Sequence, residues 1–328
     1  MIIDTHAHFT PQSMLDALKK ETSRFPSVEL LAEDDSYKLG FAGGALTRPL
    51  SPKLRDSDGR LEWMEHQCID AQINGGWLDS FGYELPAEEG AAWSRFMNEF
   101  LMTGTDEHEP LVPLATVPLQ NGKLAAEVLE EALAAGFGGV MIGTQPHGDS
   151  GNLDDPDLDP FWEAASAIKA TLYLHPMFGC GDPRLLDFGM MNATGRGVDT
   201  TIAISRLLFS GHFLKYPGMN FVLSHGGGAL PYMLGRLARN VEIAGHDYAD
   251  PIEGFKTLFF DTVLFDPRAL NFLRDIVGAE KIMLGSDYPF PIGDMTPLKV
   301  VESADLSEAE TELILGKTAM ELFNISVV

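Results

Sequence analysis

The sequence predicts an α/β protein built as a closed (β/α)8, or TIM, barrel with inserted loops. Three observations carry this. Segments rich in Val, Ile and Leu alternate with longer amphipathic stretches, giving eight strand-like segments, and repeated βα units imply parallel strands joined by helical crossovers. No Gly-x-Gly-x-x-Gly follows a strand and no Walker pattern is present, which disfavours the nucleotide-binding open sheets. The conspicuous polar residues fall where strands end, which is where a barrel gathers its chemistry.

Taken in order, Met1 to His8 reads as a short apolar strand ending in His-x-His. A helix follows over Pro11 to Lys20. Residues 21–55 hold Gly40, Gly43, Gly44, Pro49 and Pro52 and read as one long irregular insertion. Such loops commonly cover sites. Asp56 to Gln67 has helical spacing, with Asp56 or Ser57 as cap, and Ile69 to Gly75 is the second strand. Glu88 to Met102 is a helix whose apolar face is Trp93, Phe96, Met97, Phe100 and Leu101. Leu111 to Val117 is a strand, Gly122 to Ala135 a helix stopped by Gly136, and Gly139 to Thr144 the fourth strand. The acidic run Asp149 to Asp159 lacks the ligand register of a calcium loop and reads as a solvated approach to the helix Phe161 to Ala170.

Thr171 to His175 is the fifth strand. Residues 176–199 form a second long loop rich in Gly and Met, and Thr200 to Phe213 is a helix. Met219 to His225, Leu258 to Thr262 and Lys281 to Ser286 complete the strands, with a helix at Pro231 to Ile243. Ser307 to Phe323 is helical, and Ser307 with Glu310 fits a capping box.

The chain has 328 residues, 45% of them apolar, enough for one large barrel spanning 1–328. No run of about 18 apolar residues suggests a membrane span, and the N-terminus lacks the pattern of a signal peptide. Two distant cysteines, Cys68 and Cys180, fit a reducing compartment, so a cytoplasmic enzyme is expected. A net charge of −25 opposes binding to a phosphate backbone. An anionic substrate must therefore be captured by a few local arginines.

In a strand, residues i and i+2 share a face, so His6 and His8 can aim two imidazoles at one point. His175 ends the fifth strand, His225 the sixth, in Ser224-His225-Gly226-Gly227-Gly228, and Asp287 follows the eighth. Three histidines and a carboxylate suit Zn²⁺, and also Mn²⁺ or Co²⁺. The first assignment takes His6, His8, His175 and Asp287 as ligands of one divalent ion and His225 as an acid/base. The alternative makes His225 a ligand and Asp287 only a base.

These stretches, together with Asp199-Thr200-Thr201-Ile202-Ala203-Ile204, Gly228-Ala229-Leu230-Pro231-Tyr232 and Gly285-Ser286-Asp287-Tyr288-Pro289-Phe290-Pro291, resemble the amidohydrolase superfamily. The branch is that of aminocarboxymuconate-semialdehyde decarboxylase. The resemblance implies a barrel with one catalytic metal held by His6, His8, His175 and Asp287, with His225 as acid/base and Asp287 sharing the proton. No lysine stands at the end of the fourth strand, where binuclear relatives keep a carbamylated bridge, so a mononuclear centre is implied. Arg48 lines up with the family's carboxylate-binding arginine. Arg236 matches one that the family lends across a dimer interface, so a homodimer is implied. The loop Phe188 to Arg196 lacks the family's tryptophan, and Trp77 and Phe290 are expected to line the pocket instead.

The expected activity is metal-dependent decarboxylation of a small unsaturated or aromatic carboxylate. The alternative is hydrolysis of an amide, lactone or carbon–carbon bond at the same centre.

Overall fold

Strand-forming segments buried on both faces specify parallel pairing with helices outside, and the computed structural model bears this out. It describes residues 1–325 apart from 107, 109, 178, 245 and 246. Residue 178 of the expected loop 176–199 and residues 326–328 of the expected barrel domain lie outside the described residues.

Ten strands are described: β1 (Ile3–Phe9), β2 (Val28–Glu33), β3 (Ser36–Phe41), β4 (Ala71–Gly76), β5 (Leu111–Pro113), β6 (Val140–Gly143), β7 (Thr171–His175), β8 (Asn220–Leu223), β9 (Leu258–Asp261) and β10 (Ile282–Met283). Eight of them, all but β2 and β3, form the barrel. β1, β4 and β5 pair in parallel in that order, as do β6 through β10. Two seams join the sheets. Ala115 bridges Val140, with the Ala115 amide donating to Gly139 O at 3.0 Å and the Met141 amide to Ala115 O at 2.8 Å. On the other side the Thr5 amide donates to Leu284 O and the Asp287 amide to His6 O, both at 2.8 Å. The second seam places Asp287 beside the His-x-His strand.

The third expected strand, 111–117, is shorter than predicted. Its paired register with β4 ends at Pro113, where the Leu114 amide still donates to Asn74 O at 2.8 Å, and Ala115 then bridges Val140 on the other side. The last strand pairs with β9 only over Ile282 and Met283 before bending toward β1.

The insertion 21–55 is not irregular throughout. β2 and β3 form an antiparallel hairpin turning at Asp34-Asp35. Its signal was present, since Tyr37, Leu39 and Phe41 alternate and are buried, but the glycines at 40, 43 and 44 masked it. Two further differences concern helices. Pro267–Val277 is a helix between β9 and β10, capped by the Asp266 side chain, a start signal that sequence reading passed over. The helix expected from Thr200 begins at Arg196, continuing a π-helical turn at Met191–Gly195.

Other expectations hold. Asp56 caps the helix Ser57–His66 by accepting from the Gly59 amide. Ser307 and Glu310 form a reciprocal capping box. Trp93, Phe96, Met97 and Leu101 are buried on the face predicted for them. In the acidic run, Asp154 pairs with Arg206 and Asp159 with Lys215. Among the described residues, no helix is long and apolar enough to cross a membrane.

Candidate active site

At the C-terminal ends of the barrel strands, His6 and His8 from β1, His175 from β7, His225 after β8 and Asp287 after β10 converge. The first three histidines and Asp287 are buried. Donor atoms of His6, His175, His225 and Asp287 lie within 4.8 Å of one another. His8 falls outside that set, yet its Nε2 is 3.1 Å from Asp287 Oδ1.

The two oxygens of Asp287 divide the histidines. Oδ1 faces Nε2 of His8 at 3.1 Å, of His6 at 3.4 Å and of His175 at 3.7 Å. Oδ2 faces Nε2 of His225 at 3.5 Å. His225 is also the more open, with 21% of its side chain exposed. This division sets His6, His8 and His175 on one carboxylate oxygen and His225 on the other.

The outer nitrogens of the same three rings are engaged. His6 Nδ1 is 2.6 Å from Asp261 Oδ2, His8 Nδ1 is 3.2 Å from Gly76 O and His175 Nδ1 is 2.8 Å from Pro176 O. A ring that donates through Nδ1–H presents a bare Nε2. Nε2 of His6 and of His175 is buried with no hydrogen-bond partner. Orphaned buried nitrogens beside a carboxylate are what a divalent cation satisfies, so the donor set fits a metal.

Burial pulls the pKa of His8 down and that of His175 well down, which favours the neutral imidazole a metal requires. Burial acts the same way on His6, but the Asp287 charge and the Asp261 hydrogen bond outweigh it and raise its pKa. Burial pushes Asp287 up, yet the surrounding histidines, His6 foremost, hold it well below the usual carboxylate range.

Local backbone explains why these side chains reach the centre. His225 and Asp287 both have left-handed φ, 54° and 59°, an uncommon conformation for non-glycine residues that recurs at functional sites. Gly226, Gly227 and Gly228 continue with φ of 58°, 76° and 64°. A Cβ on Gly228 would stand 2.3 Å from Gly197 O, so the turn packs tightly on the start of the helix Arg196–Phe209.

Asp261, at the end of β9, was missed by sequence reading although it occupies an equivalent strand end. Its Oδ2 takes His6 Nδ1 and the Tyr173 hydroxyl, and its Oδ1 accepts the amides of Gly226 and Val263. Beneath it, Asp4 accepts from the Ser286 amide and hydroxyl, Gln72 and the His6 amide.

The site opens into a cavity of about 840 Å³, lined by His175, His225 and Asp287 at its floor and by Arg48, Trp77 and Phe290 among its walls. Three of the residues expected at the substrate, Arg48, Trp77 and Phe290, thus line this cavity. The Arg48 guanidinium lies 5.6 Å from the Trp77 ring and 5.3 Å from the Phe290 ring, and its Nε donates to Asp79 at 2.9 Å. Arg236 is different. It is exposed on the helix Leu230–Ala244 and does not line its own chain's cavity. Arg196 lines the cavity and was read only as part of the loop.

Fold and site together define a metal-dependent barrel enzyme of the amidohydrolase type. Residues 3–325 match the family described as amidohydrolase (Amidohydro_2), and the chain belongs to that family. It is 27% identical over 98% of its length to the 2-amino-3-carboxymuconate-6-semialdehyde decarboxylase of Dictyostelium discoideum, covering 91% of that protein. It is 29% identical over 84% of its length to the gamma-resorcylate decarboxylase of a Polaromonas species, covering 91% of that protein. The 5-carboxyvanillate decarboxylase of Novosphingobium aromaticivorans, solved with manganese and 4-hydroxy-3-methoxy-5-nitrobenzoic acid, superposes with a TM-score of 0.80 at 20% identity over 99% of this chain and 96% of that one.

Proposed function

We propose that this protein is a metal-dependent carboxy-lyase that releases CO₂ from a small aromatic or unsaturated carboxylate. The observation that carries the reading is the division of Asp287: Oδ1 faces three tautomer-locked histidines and Oδ2 faces His225 on the open side. His6, His8, His175 and Asp287 would hold one divalent ion. When bound, that ion supplies Lewis acidity toward a substrate oxygen. The donor set suits Zn²⁺, and equally Mn²⁺ or Co²⁺; manganese is the ion in the solved relative.

The chain's own groups do the rest. The bond between the ring or diene carbon and the carboxyl breaks, CO₂ leaves, and the electron pair stays on that carbon. His225 carries the proton to it, and Asp287 Oδ2, 3.5 Å away, shares that proton and orients the imidazole. Trp77 and Phe290 enclose the ring, and Arg48 at the rim meets the carboxylate as it enters. The enzyme works as one barrel over 1–328, with the insertion 21–55 supplying Arg48 to the cavity. The exposure of Arg236 and its absence from its own chain's cavity support the reading that it serves a neighbouring subunit's site in a homodimer. The free thiols Cys68 and Cys180 fit a reducing cytoplasm.

The test is product analysis of metal-loaded protein with hydroxybenzoate and aminomuconate acids. Stoichiometric CO₂ without consumption of water is expected. Turnover that consumes water and releases no CO₂ would replace the lyase reading with hydrolysis at the same centre. Purified protein holding no stoichiometric divalent metal would remove the metal site.

A further inference from the structure

Arg60, on the helix Ser57–His66, is fully buried, and an arginine is almost never so without a specific set of partners. Nη1 donates to Gln72 Oε1 at 2.6 Å and to Asn74 Oδ1 at 2.7 Å, and Nη2 donates to the backbone oxygen of His8 at 2.5 Å. Gln72 and Asn74 lie two apart on β4 and so share a face. Gln72 passes the contact on, its Nε2 donating to Asp4 Oδ2 at 2.8 Å. Asp4 and Asp56 are the carboxylates whose charge favours the guanidinium. The guanidinium carbon also lies 4.8 Å from the Tyr288 ring and 5.3 Å from the Phe9 ring. Tyr288 follows Asp287 and Phe9 follows His8, so the cation contacts the neighbours of two candidate metal ligands. Trp63, on the same helix, stacks on Tyr288 with ring centroids 4.4 Å apart.

The backbone shows what these contacts replace. From Asp4 to Ala7 β1 takes three steps, while β4 from Gln72 to Asn74 takes two. The extra residue is a bulge, a device that re-aims side chains beside active sites, and it falls across His6. On the other flank the His8 amide donates to Tyr288 O at 2.8 Å. In a parallel ladder the C=O of the same residue bonds the same neighbouring strand, two residues further on. That donor would be the Phe290 amide, which instead closes a turn onto Asp287 O at 3.1 Å. The turn that presents Asp287 thus takes the donor away from His8, and Arg60 Nη2 supplies another. A buried carbonyl left unpaired would be costly. At the start of the bulge Asp4 accepts the His6 amide at 3.1 Å. Side chains therefore bracket the ligand pair where the ladder is irregular: Asp4 before His6 and Arg60 behind His8, joined through Gln72.

Stability alone is a poor account of this residue. Arg60 Nε is buried without a partner, and buried ionic groups often contribute less than apolar side chains of similar volume. Groups that hold a ligand from behind, by contrast, tune the affinity of a metal site. We propose that Arg60 is a positioning residue of the metal site. By holding the His8 carbonyl and the Phe9 and Tyr288 rings, it fixes His8 against Asp287 in the geometry that a divalent ion requires. This rests on the reading of the donor set as a metal site.

The experiment is competition for Co²⁺ between the protein and a chelator, with stability followed by urea unfolding. Arg60→Gln should weaken Co²⁺ binding about 10–100-fold and shift the visible absorption of the bound ion, which reports ligand geometry. Arg60→Lys keeps the charge but not the planar fork. It should lie between Arg60→Gln and the wild type, and it carries the test if Arg60→Gln does not fold. The control is Met64→Ala, one turn along the same helix in an apolar cluster with Ile69 and Leu111. It should lose stability while keeping the absorption of bound Co²⁺ and an affinity within about twofold of the wild type. Wild-type affinity in the Arg60 variants, or an equal loss in Met64→Ala, overturns the proposal and leaves the metal site standing. A wild type that takes up no stoichiometric Co²⁺ overturns both.

Discussion

The floor and the rim of the cavity differ in what holds them. At the floor, His6, His8, His175 and Asp287 are at most 4% exposed, stand at or just beyond strand ends, and have their outer atoms engaged by Asp261, Gly76 O and Pro176 O. At the rim, Arg48 comes from an insertion, Arg196 from the end of a π-helical turn, and Phe290 from the segment after Asp287. The floor is set by barrel hydrogen bonds that any substrate would find unchanged. The rim is set by loops, which vary more readily than the elements they join. The difference teaches that reaction type and substrate choice are separable in this molecule: the floor carries the first and the rim the second.

Substitutions can break that separation. The largest effect is expected at the floor. His225→Ala should lower kcat by about 10²–10⁴-fold, with metal content retained on direct metal analysis. Wild-type turnover would remove His225 from the proton step.

A second floor effect appears in stability. Burial pushes Asp4 up to about 6, against the lowering hydrogen bonds from Ser286 and Gln72. A carboxyl whose folded pKa lies above its unfolded value contributes stability that is full below the unfolded pKa and is lost as pH rises through the folded one. Between about pH 3 and pH 7 the wild type should therefore lose roughly 3 kcal/mol relative to Asp4→Asn. Urea unfolding at a series of pH values checks this, and parallel profiles for the two proteins would contradict it.

Asp261→Asn should weaken metal binding about 10–100-fold, since a carboxylate on the outer nitrogen fixes the ligand's tautomer and raises its basicity. Competition with a chelator measures it, and unchanged affinity would make Asp261 purely architectural. The smallest effect is expected at the rim. Arg48→Ala should raise KM roughly threefold, in keeping with a half-exposed ion pair, and leave kcat and metal content alone. A fall in kcat instead would mean that the rim takes part in the chemistry.

Much of the floor was legible before any coordinates. His6-x-His8 declares itself because side chains alternate in a strand, and His175, His225 and Asp287 sit at the equivalent ends of later apolar runs. Asp261 sits at such an end too, but a lone aspartate after Leu258-Phe259-Phe260 reads equally as a strand terminator. Its meaning depends on His6, which lies 255 positions away in sequence. Arg196 gave no periodic signal at all. It is brought to the cavity by a π-helical turn and held by Asn192, four positions earlier, and by Pro176 O, twenty positions earlier, the second a contact that no local pattern encodes. The hairpin of residues 28–41 was hidden by neighbouring glycines and prolines, although its alternation was present.

Hydrophobic periodicity and strand-end chemistry are local properties, so the sequence by itself determined the barrel class, the five residues of the floor and the family resemblance. Tertiary structure decided what depends on distance: the seam that sets Asp287 against β1, the division of its two oxygens between His225 and the other histidines, and the entry of Arg196 into the cavity. These are relations between residues far apart in the chain. They exist only once the barrel has closed and burial has removed the water that would otherwise satisfy each group alone.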